Sequence, residues 1–374
     1  KEDADKAEIA EARLRSSRSL TASSCQVYWP SWFEVCGAIR DKYNALGGPA
    51  SFLSYPTSGN ILNPGGTGER VTFLNGPIYW SAATGAHPVV NSFLHRWGIH
   101  GYEAGWLGYP TTDEILLPDG GRHQEFTAGG IYVAFQNAIG SAIANGPIRD
   151  KWNSVGGTAP GGSLLGYPIQ DQIGLPDGQG QMDRFERGVI YWHPATGAHE
   201  IHGHILATWE VAGYESGPFG YPISSPTSTD PDTYVQQFQN GNLTQAAPGP
   251  SQVWVSVSGQ SPGGAVSGRF CRSGVFGWND FPSLRTSLDS WYPRDGRVWQ
   301  VPSDDEVWKV WCHITDGKAS IIKPDWESEE IRPSPRHDLA DGTICYFRTS
   351  STSGGYTIDF NVPDYTQNWK VHVV

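Results

Sequence analysis

Four short turns punctuate the first two-thirds of this chain: LSYP (53–56), LGYP (107–110), LGYP (165–168) and FGYP (219–222), at steps of 54, 58 and 54 residues. After each comes a strand-like run, FLNGPIYW from Phe73, FTAGGIYV from Phe126, FERGVIYW from Phe185 and a degraded FQNGNLTQ from Phe238. The loop TGAH occurs twice, ending at His87 and His199. Self-similarity at such a period marks stacked supersecondary units, none of which buries its own apolar face. The constraint is therefore an array of four copies whose stability comes from packing on neighbours.

Within each copy the spacing predicts one short helix and about two short strands. The helices are GAIRDKYNALGG from Gly37, NSFLHRWGIHGY from Asn91, GPIRDKWNSVGG from Gly146 and GHILATWEVAGY from Gly203. Aligned, they place Ile39, Phe93, Ile148 and Ile205 in register, with Tyr43, Trp97, Trp152 and Trp209 four residues on. Residues i and i+4 share one helix face. Gly47, Gly101, Gly156 and Gly213 follow where a helix end needs positive φ. The third copy carries three extra residues between Gly156 and Leu165. Polar loops with Pro-Asp-Gly (118–120 and 176–178) lead into the strands.

The order of LGYP turns, IYW strands and TGAH loops resembles the LGFP-repeat family over roughly residues 32–247. The resemblance implies a secreted protein of actinobacteria or some fungi, held on cell-wall polysaccharide and often fused to catalytic domains such as mycolyltransferases or peptidoglycan amidases. Two departures stand out. The second copy has VAFQNAIGSA (133–142) in place of TGAH, and the fourth lacks both IYW and TGAH.

Composition narrows the class. Gly (46) and Pro (27) are abundant, yet 12% of the residues are aromatic, which a disordered chain would lack. A formal charge of −12 argues against a nucleic-acid partner and against docking on anionic lipid. No run of about 18 apolar residues exists to span a membrane. The chain begins at Lys1 without Met or an apolar signal core, which is expected of a processed, mature form. Residues 1–31 read as a charged, Ala-rich segment and linker, with too thin an apolar stripe for a core helix.

Of the five cysteines, Cys25 and Cys36 could close a short loop. Cys312 and Cys345 lie in strand-like runs and could bridge them, leaving Cys271 over. Asn242-Leu243-Thr244 is a glycosylation sequon, meaningful in a eukaryotic source.

The segment APGPS (247–251) suggests a boundary. Beyond it, residues 250–374 hold strand-like runs QVWVSVS from Gln252, RVWQV from Arg297, EVWKVWCHI from Glu306, TICYFRT from Thr343, YTIDFNV from Tyr356 and WKVHVV from Trp369. These predict an all-β, sandwich-like C-terminal domain. The fold class expected is thus a mixed α+β repeat array of helix-plus-hairpin units (32–247), which could close into a compact ring, followed by that β domain.

Residues kept in all four copies serve the fold. Those found only in well-formed copies are the better binding candidates: Tyr79, Trp80 and His87 in the first, Tyr191, Trp192 and His199 in the third. Exposed aromatic faces suit the C–H faces of sugars, and an imidazole can donate to a hydroxyl. The run HEIHGH (199–204) invites a metal reading, but its histidines lack zincin spacing, and no metal or other cofactor is expected. The carboxylates Asp113-Glu114, Asp304-Asp305-Glu306, Glu327 and Glu329-Glu330 read as solvated loops, and the acids of 230–232 lack an EF-hand frame. G-x-S-x-G, H-E-x-x-H, Walker and Rossmann patterns are absent from the sequence.

The reading is a secreted, non-catalytic carbohydrate-binding protein of the cell wall, its partner an arabinogalactan-like or other wall glycan. The alternatives are a structural or adhesive surface protein that assembles through its C-terminal domain, and a wall hydrolase or esterase with that domain catalytic.

Overall fold

Each predicted helix of the array forms: α1 (Gly37–Ala45), α2 (Asn91–Ile99), α3 (Pro147–Ser154) and α4 (Gly203–Val211). The structure is a computed structural model. It describes residues 24–135, 138–230, 233–249, 252–258, 266–271, 277–324, 330–332, 334–352, 354–363 and 365–374. The expected N-terminal segment therefore lies outside the described residues, save for the part from Ser24 onward. The chain divides into two compact units, one up to Trp192 and one from His193.

The helices start and stop for local reasons. Gly47, Gly101, Gly156 and Gly213 stand just past the helix ends with φ of +108°, +86°, +106° and +94°, a region that a Cβ disfavours. The buried face of each helix carries the predicted pair: Ile39 and Tyr43, Phe93 and Trp97, Ile148 and Trp152, Ile205 and Trp209. The second aromatic also reaches a turn. Trp97 Nε1 donates to Gly108 O at 3.1 Å, Trp152 Nε1 to Gly166 O at 2.9 Å and Trp209 Nε1 to Gly220 O at 3.2 Å. Tyr43 does the same with its hydroxyl, to Ser54 O. The acceptor is always the second residue of the LGYP-type turn. The turn's last residue then bridges the following strand: Pro56 with Phe73, Pro110 with Phe126, Pro168 with Phe185, Pro222 with Phe238.

In the first unit every copy builds an antiparallel hairpin. The strands are Glu69–Phe73 with Gly76–Ser81, Arg122–Phe126 with Gly129–Val133, and Gln181–Phe185 with Gly188–His193. Short edge strands flank them at Ile61–Leu62, Ile115–Leu116 and Ile173–Gly174. The second copy keeps its outer strand without the TGAH sequence: Ser141–Ala144 pairs with Gly129–Val133, and Ser141 stands opposite Tyr132 as His87 stands opposite Tyr79.

A side-chain device repeats as well. Gln124, two residues before Phe126, is buried and donates to the carbonyls of Pro88 and Thr112 at 2.8 and 2.9 Å. Gln236, two before Phe238, does the same to Glu200 and Ser224 at 2.8 and 3.0 Å. The third copy has Asp183 at this place, fully buried, with neither carboxyl oxygen hydrogen-bonded.

The second unit departs from the all-β expectation. Two further helices form, α5 (Phe281–Trp291) and α6 (Asp304–Ile314). The run EVWKVWCHI, expected as a strand, is most of α6. Ser303 caps it by accepting from Glu306 N, Asp304, Asp305 and Glu306 occupy its first turn, and Val307, Trp308, Val310, Trp311 and Ile314 bury a helical rather than an alternating set. The other five expected runs are strands. One sheet has seven antiparallel strands in the order Thr227–Asp230, Thr233–Phe238, Gly241–Gly249, Gln252–Ser258, Val266–Cys271, Ser320–Pro324, Glu330–Arg332. Gly241–Gly249, which reaches into the segment expected as a boundary, pairs with Gln252–Ser258, with Gly249 opposite Gln252. The other sheet is mixed, with Val298–Val301 parallel to Trp369–Val373 and the remaining pairs antiparallel.

Cys25 and Cys36 are bonded as expected. The second disulfide is a correction: Cys312 joins Cys271, and Cys345 is buried and free. The sequence reading failed because it placed Cys312 on a strand. On α6 its Cα stands 5.4 Å from that of Cys271, within disulfide range.

Two outcomes follow. A thiol reagent under non-reducing conditions should find no reactive thiol in the native chain and one after unfolding. Three would mean that the Cys271–Cys312 bond is missing. Burial, chiefly, holds the Asp183 carboxyl protonated well above the ordinary range; the nearby backbone N–H of Arg184, short of hydrogen-bond geometry, opposes this and Asp171 reinforces it. The folded state thus keeps a proton that the unfolded chain releases near pH 4. Stability from this group is full below that pH and falls by about 1.4 kcal/mol per unit above it, until the folded carboxyl ionises. Asp183→Asn carries an amide donor that does not titrate, so it should raise the denaturation midpoint at pH 7 and flatten this slope. An unaltered pH profile would refute the assignment.

Candidate functional site

The six residues expected to bind sugar separate on inspection. Tyr79 and Tyr191 are buried, at 6% and 4% exposure, so neither offers a face to a ligand. Tyr79 packs edge-on against Trp97 at 4.6 Å between ring centres, and Tyr132 of the next copy meets Trp152 the same way at 4.8 Å. Trp80 and Trp192 are half-buried. The histidines fold back on their own loops: His87 Nε2 faces Thr84 O at 3.0 Å and His199 Nε2 faces Thr196 O at 2.8 Å. They differ on the other ring nitrogen. His87 Nδ1 lies 2.7 Å from Asp113 Oδ1, whereas His199 Nδ1 is buried without a hydrogen bond.

Asp113 leads to the site. It sits three residues past the turn at 107–110 and also binds Lys42 of α1, so an ion pair ties one copy to the next. Arg96 of α2 and Asp171 repeat this pair at 2.8 Å. Burial works against ionisation of Asp113, but hydrogen bonds from His87 and Lys42 hold its carboxyl below the ordinary range. Beside it opens a groove of about 390 Å³ lined by Leu46, Phe52, Pro88, Val90, Asn91, Asp113, Glu114, Leu116 and Arg122. Phe52 and Leu116 are 51% and 72% exposed, giving the groove an accessible apolar lining. Glu114 and Arg122, both in its lining, pair at 2.8 Å. Apolar surface next to carboxylates and an amide suits a neutral ligand with hydroxyls on one edge and C–H groups on its face.

Phe52 escaped the sequence reading because attention fell on motif residues. It is the position just before the LGYP-type turn, filled by Phe52, Trp106 and Leu164 in successive copies, all exposed. Trp106 is braced by its Nε1–H, which donates to His100 Nδ1 at 3.0 Å, while His100 Nε2 contacts Asp171 at 2.9 Å. A variable apolar residue at a fixed place beside a recurring turn was the available signal.

The other candidates have structural explanations. His204 packs on Phe270 at 4.4 Å, and burial lowers its pKa to about 4, as for a neutral core imidazole. Among the described residues, the one group of His, Cys, Asp or Glu close enough to share a cation is Cys25, Glu34 and Cys36, and its cysteines are bonded to each other. Asp304 accepts from Tyr356 N at 2.6 Å, Asp305 pairs with Arg269, and Glu306 accepts from Tyr292, so these acids hold α6 in place. Residues 231–232 and 325–329 lie outside the described residues, so the acids at Asp232, Glu327 and Glu329 have no structural account.

Comparison with known families bears on the repeats themselves. The family model described as LGFP repeat matches three stretches, 53–105, 107–159 and 165–217. Each match opens on an LGYP-type turn or its LSYP variant and closes past the next helix. α4 closes the third match, while the FGYP turn and the strands after it are not matched. No curated protein matches the chain.

Core and surface should separate in unfolding experiments. Tyr79→Ala is expected to cost about 3–5 kcal/mol, as large aromatic truncations in cores do. Phe52→Ala should cost less than about 1 kcal/mol. Urea midpoints that rank the other way would contradict the burial described.

Proposed function

Since residues 53–217 are LGFP repeats, we propose that this array is the glycan-binding part of a secreted cell-surface protein and fixes it on wall polysaccharide. The repeat family and the two disulfides fit a cell-surface protein. The observation that carries the glycan reading is the groove beside Asp113, where exposed Phe52 and Leu116 adjoin hydroxyl-binding groups. A sugar ring would lie on the apolar lining while its hydroxyls donate to Asp113 or Glu114 and meet Asn91. His87 and Lys42 would fix the Asp113 carboxylate in its acceptor form. In this reading Trp80 and Trp192 support the hairpins, and Phe52 and Trp106 replace Tyr79 and Tyr191 as stacking groups.

Each contact of this kind is weak. Recurrence in successive copies raises retention on a polymer by roughly 10²–10⁴ when the sites engage together. The full chain should therefore bind soluble arabinogalactan or another wall polysaccharide far better than it binds short oligosaccharides. Phe52→Ala with Leu116→Ala should weaken polysaccharide binding about tenfold without changing the unfolding midpoint by more than a few degrees. Full affinity in the double variant would rule out this groove. Failure of the intact chain to bind any wall polysaccharide would rule out the function.

A further inference from the structure

The first helix is preceded by a hairpin that no copy of the repeat claims. Strands Cys25–Val27 and Glu34–Cys36 pair antiparallel, and their ends are joined by the Cys25–Cys36 disulfide. Its sequence, QVYW (26–29), matches PIYW (77–80) and VIYW (189–192). The match extends to packing. Tyr28 is buried and meets Tyr43 of α1 edge-on at 4.8 Å, as Tyr79 meets Trp97 and Tyr132 meets Trp152. The hairpin reads as a truncated copy packed on the first helix, the position a terminal cap takes in stacked repeats.

The cap differs from the full copies in one respect. Trp29, the counterpart of Trp80 and Trp192, is 70% exposed, and Trp32 is 76% exposed beside it. The two rings meet at 85° with centres 4.9 Å apart. The loop between the strands is anchored on both sides of Trp29. Tyr28 OH donates to Asn44 Oδ1 at 2.7 Å, Ser31 N to Tyr28 O at 2.9 Å, and Ser31 Oγ to Pro56 O at 2.8 Å. Two large rings are thus held outside the core on a braced loop, with little ordering left to lose on binding.

We propose that Trp29 and Trp32 form a stacking platform for a neutral saccharide, continuing the glycan path of the first copy. The platform is tied to that path directly, since Pro56, which accepts from Ser31, belongs to the turn that follows Phe52 of the groove. Charge separates a sugar from an anionic membrane. Residues 24–36 hold a single charged side chain, Glu34, and the nearby Arg40 is engaged by Asp41 and by the carbonyl of Ser24. A surface that docks on anionic headgroups needs lysine or arginine around its aromatics. A corner of two indoles instead presents a flat face for the C–H side of a pyranose and an edge against its rim.

This inference rests on the glycan reading of the array, and one experiment separates their failures. The full chain, Trp29→Ala with Trp32→Ala, and Trp29→Phe with Trp32→Phe are titrated with soluble arabinogalactan and with neutral mannan. Vesicles of phosphatidylcholine, with and without phosphatidylserine, and sedimentation of the free chain serve as parallel arms. The alanine pair should lose about tenfold in polysaccharide affinity and the phenylalanine pair less, with the unfolding midpoint and the Cys25–Cys36 bond unchanged. If the intact chain binds polysaccharide and the alanine pair binds it equally, the platform is refuted and the groove stands. If the intact chain binds neither polysaccharide, the platform falls together with the reading it rests on. Vesicle binding, or self-association, that the alanine pair abolishes while polysaccharide affinity is kept would overturn the saccharide assignment in favour of lipid or a second copy.

Discussion

The array depends on a hydrogen bond from a helix aromatic to the second carbonyl of a four-residue turn. It occurs in all four copies, three times through an indole and once through a phenol. A buried polar atom without a partner costs about 1–3 kcal/mol, so the ring and the carbonyl each require the other. This bond explains why the turn holds its shape. Its second residue takes left-handed φ, near +70° in Gly108, Gly166 and Gly220, and its carbonyl thereby points at the helix. Ser54 adopts the same region without being glycine, in the one copy whose helix donates through the longer reach of Tyr43.

Much of this was legible in the sequence because repetition supplies its own comparison. Helix faces, capping glycines and the hairpins all follow from aligned copies. Burial of the IYW tyrosine did not, since period-2 alternation does not say which face of a small sheet a neighbour will cover. Of the six binding candidates, Tyr79 and Tyr191 consequently lie in the core. Phe52 and Trp106 lay in view as variable residues beside a recurring turn. The cap hairpin was hidden because only QVYW survives of its repeat.

The C-terminal region shows the opposite problem. With no second copy to align, EVWKVWCHI reads as one more alternating run, and Ser303, whose side chain caps the helix, lies just before it. That single mistake displaced a disulfide as well, because the partner of Cys312 depends on whether its backbone turns or extends. Asp183 illustrates a subtler limit. Sequence shows an acid where two other copies have Gln, but the cost of that change appears only once the site proves to be sealed from water.

The ion pairs Lys42–Asp113 and Arg96–Asp171 give the array a direction. Each cation comes from an earlier helix and each anion from a later turn, so successive copies are related head to tail. A linear polymer has direction too, from one chain end to the other. Binding sites repeated head to tail would each meet such a polymer in the same sense. They would favour one orientation of the strand over its reverse, a selectivity that a mirror-like or two-fold arrangement of the same sites would lack.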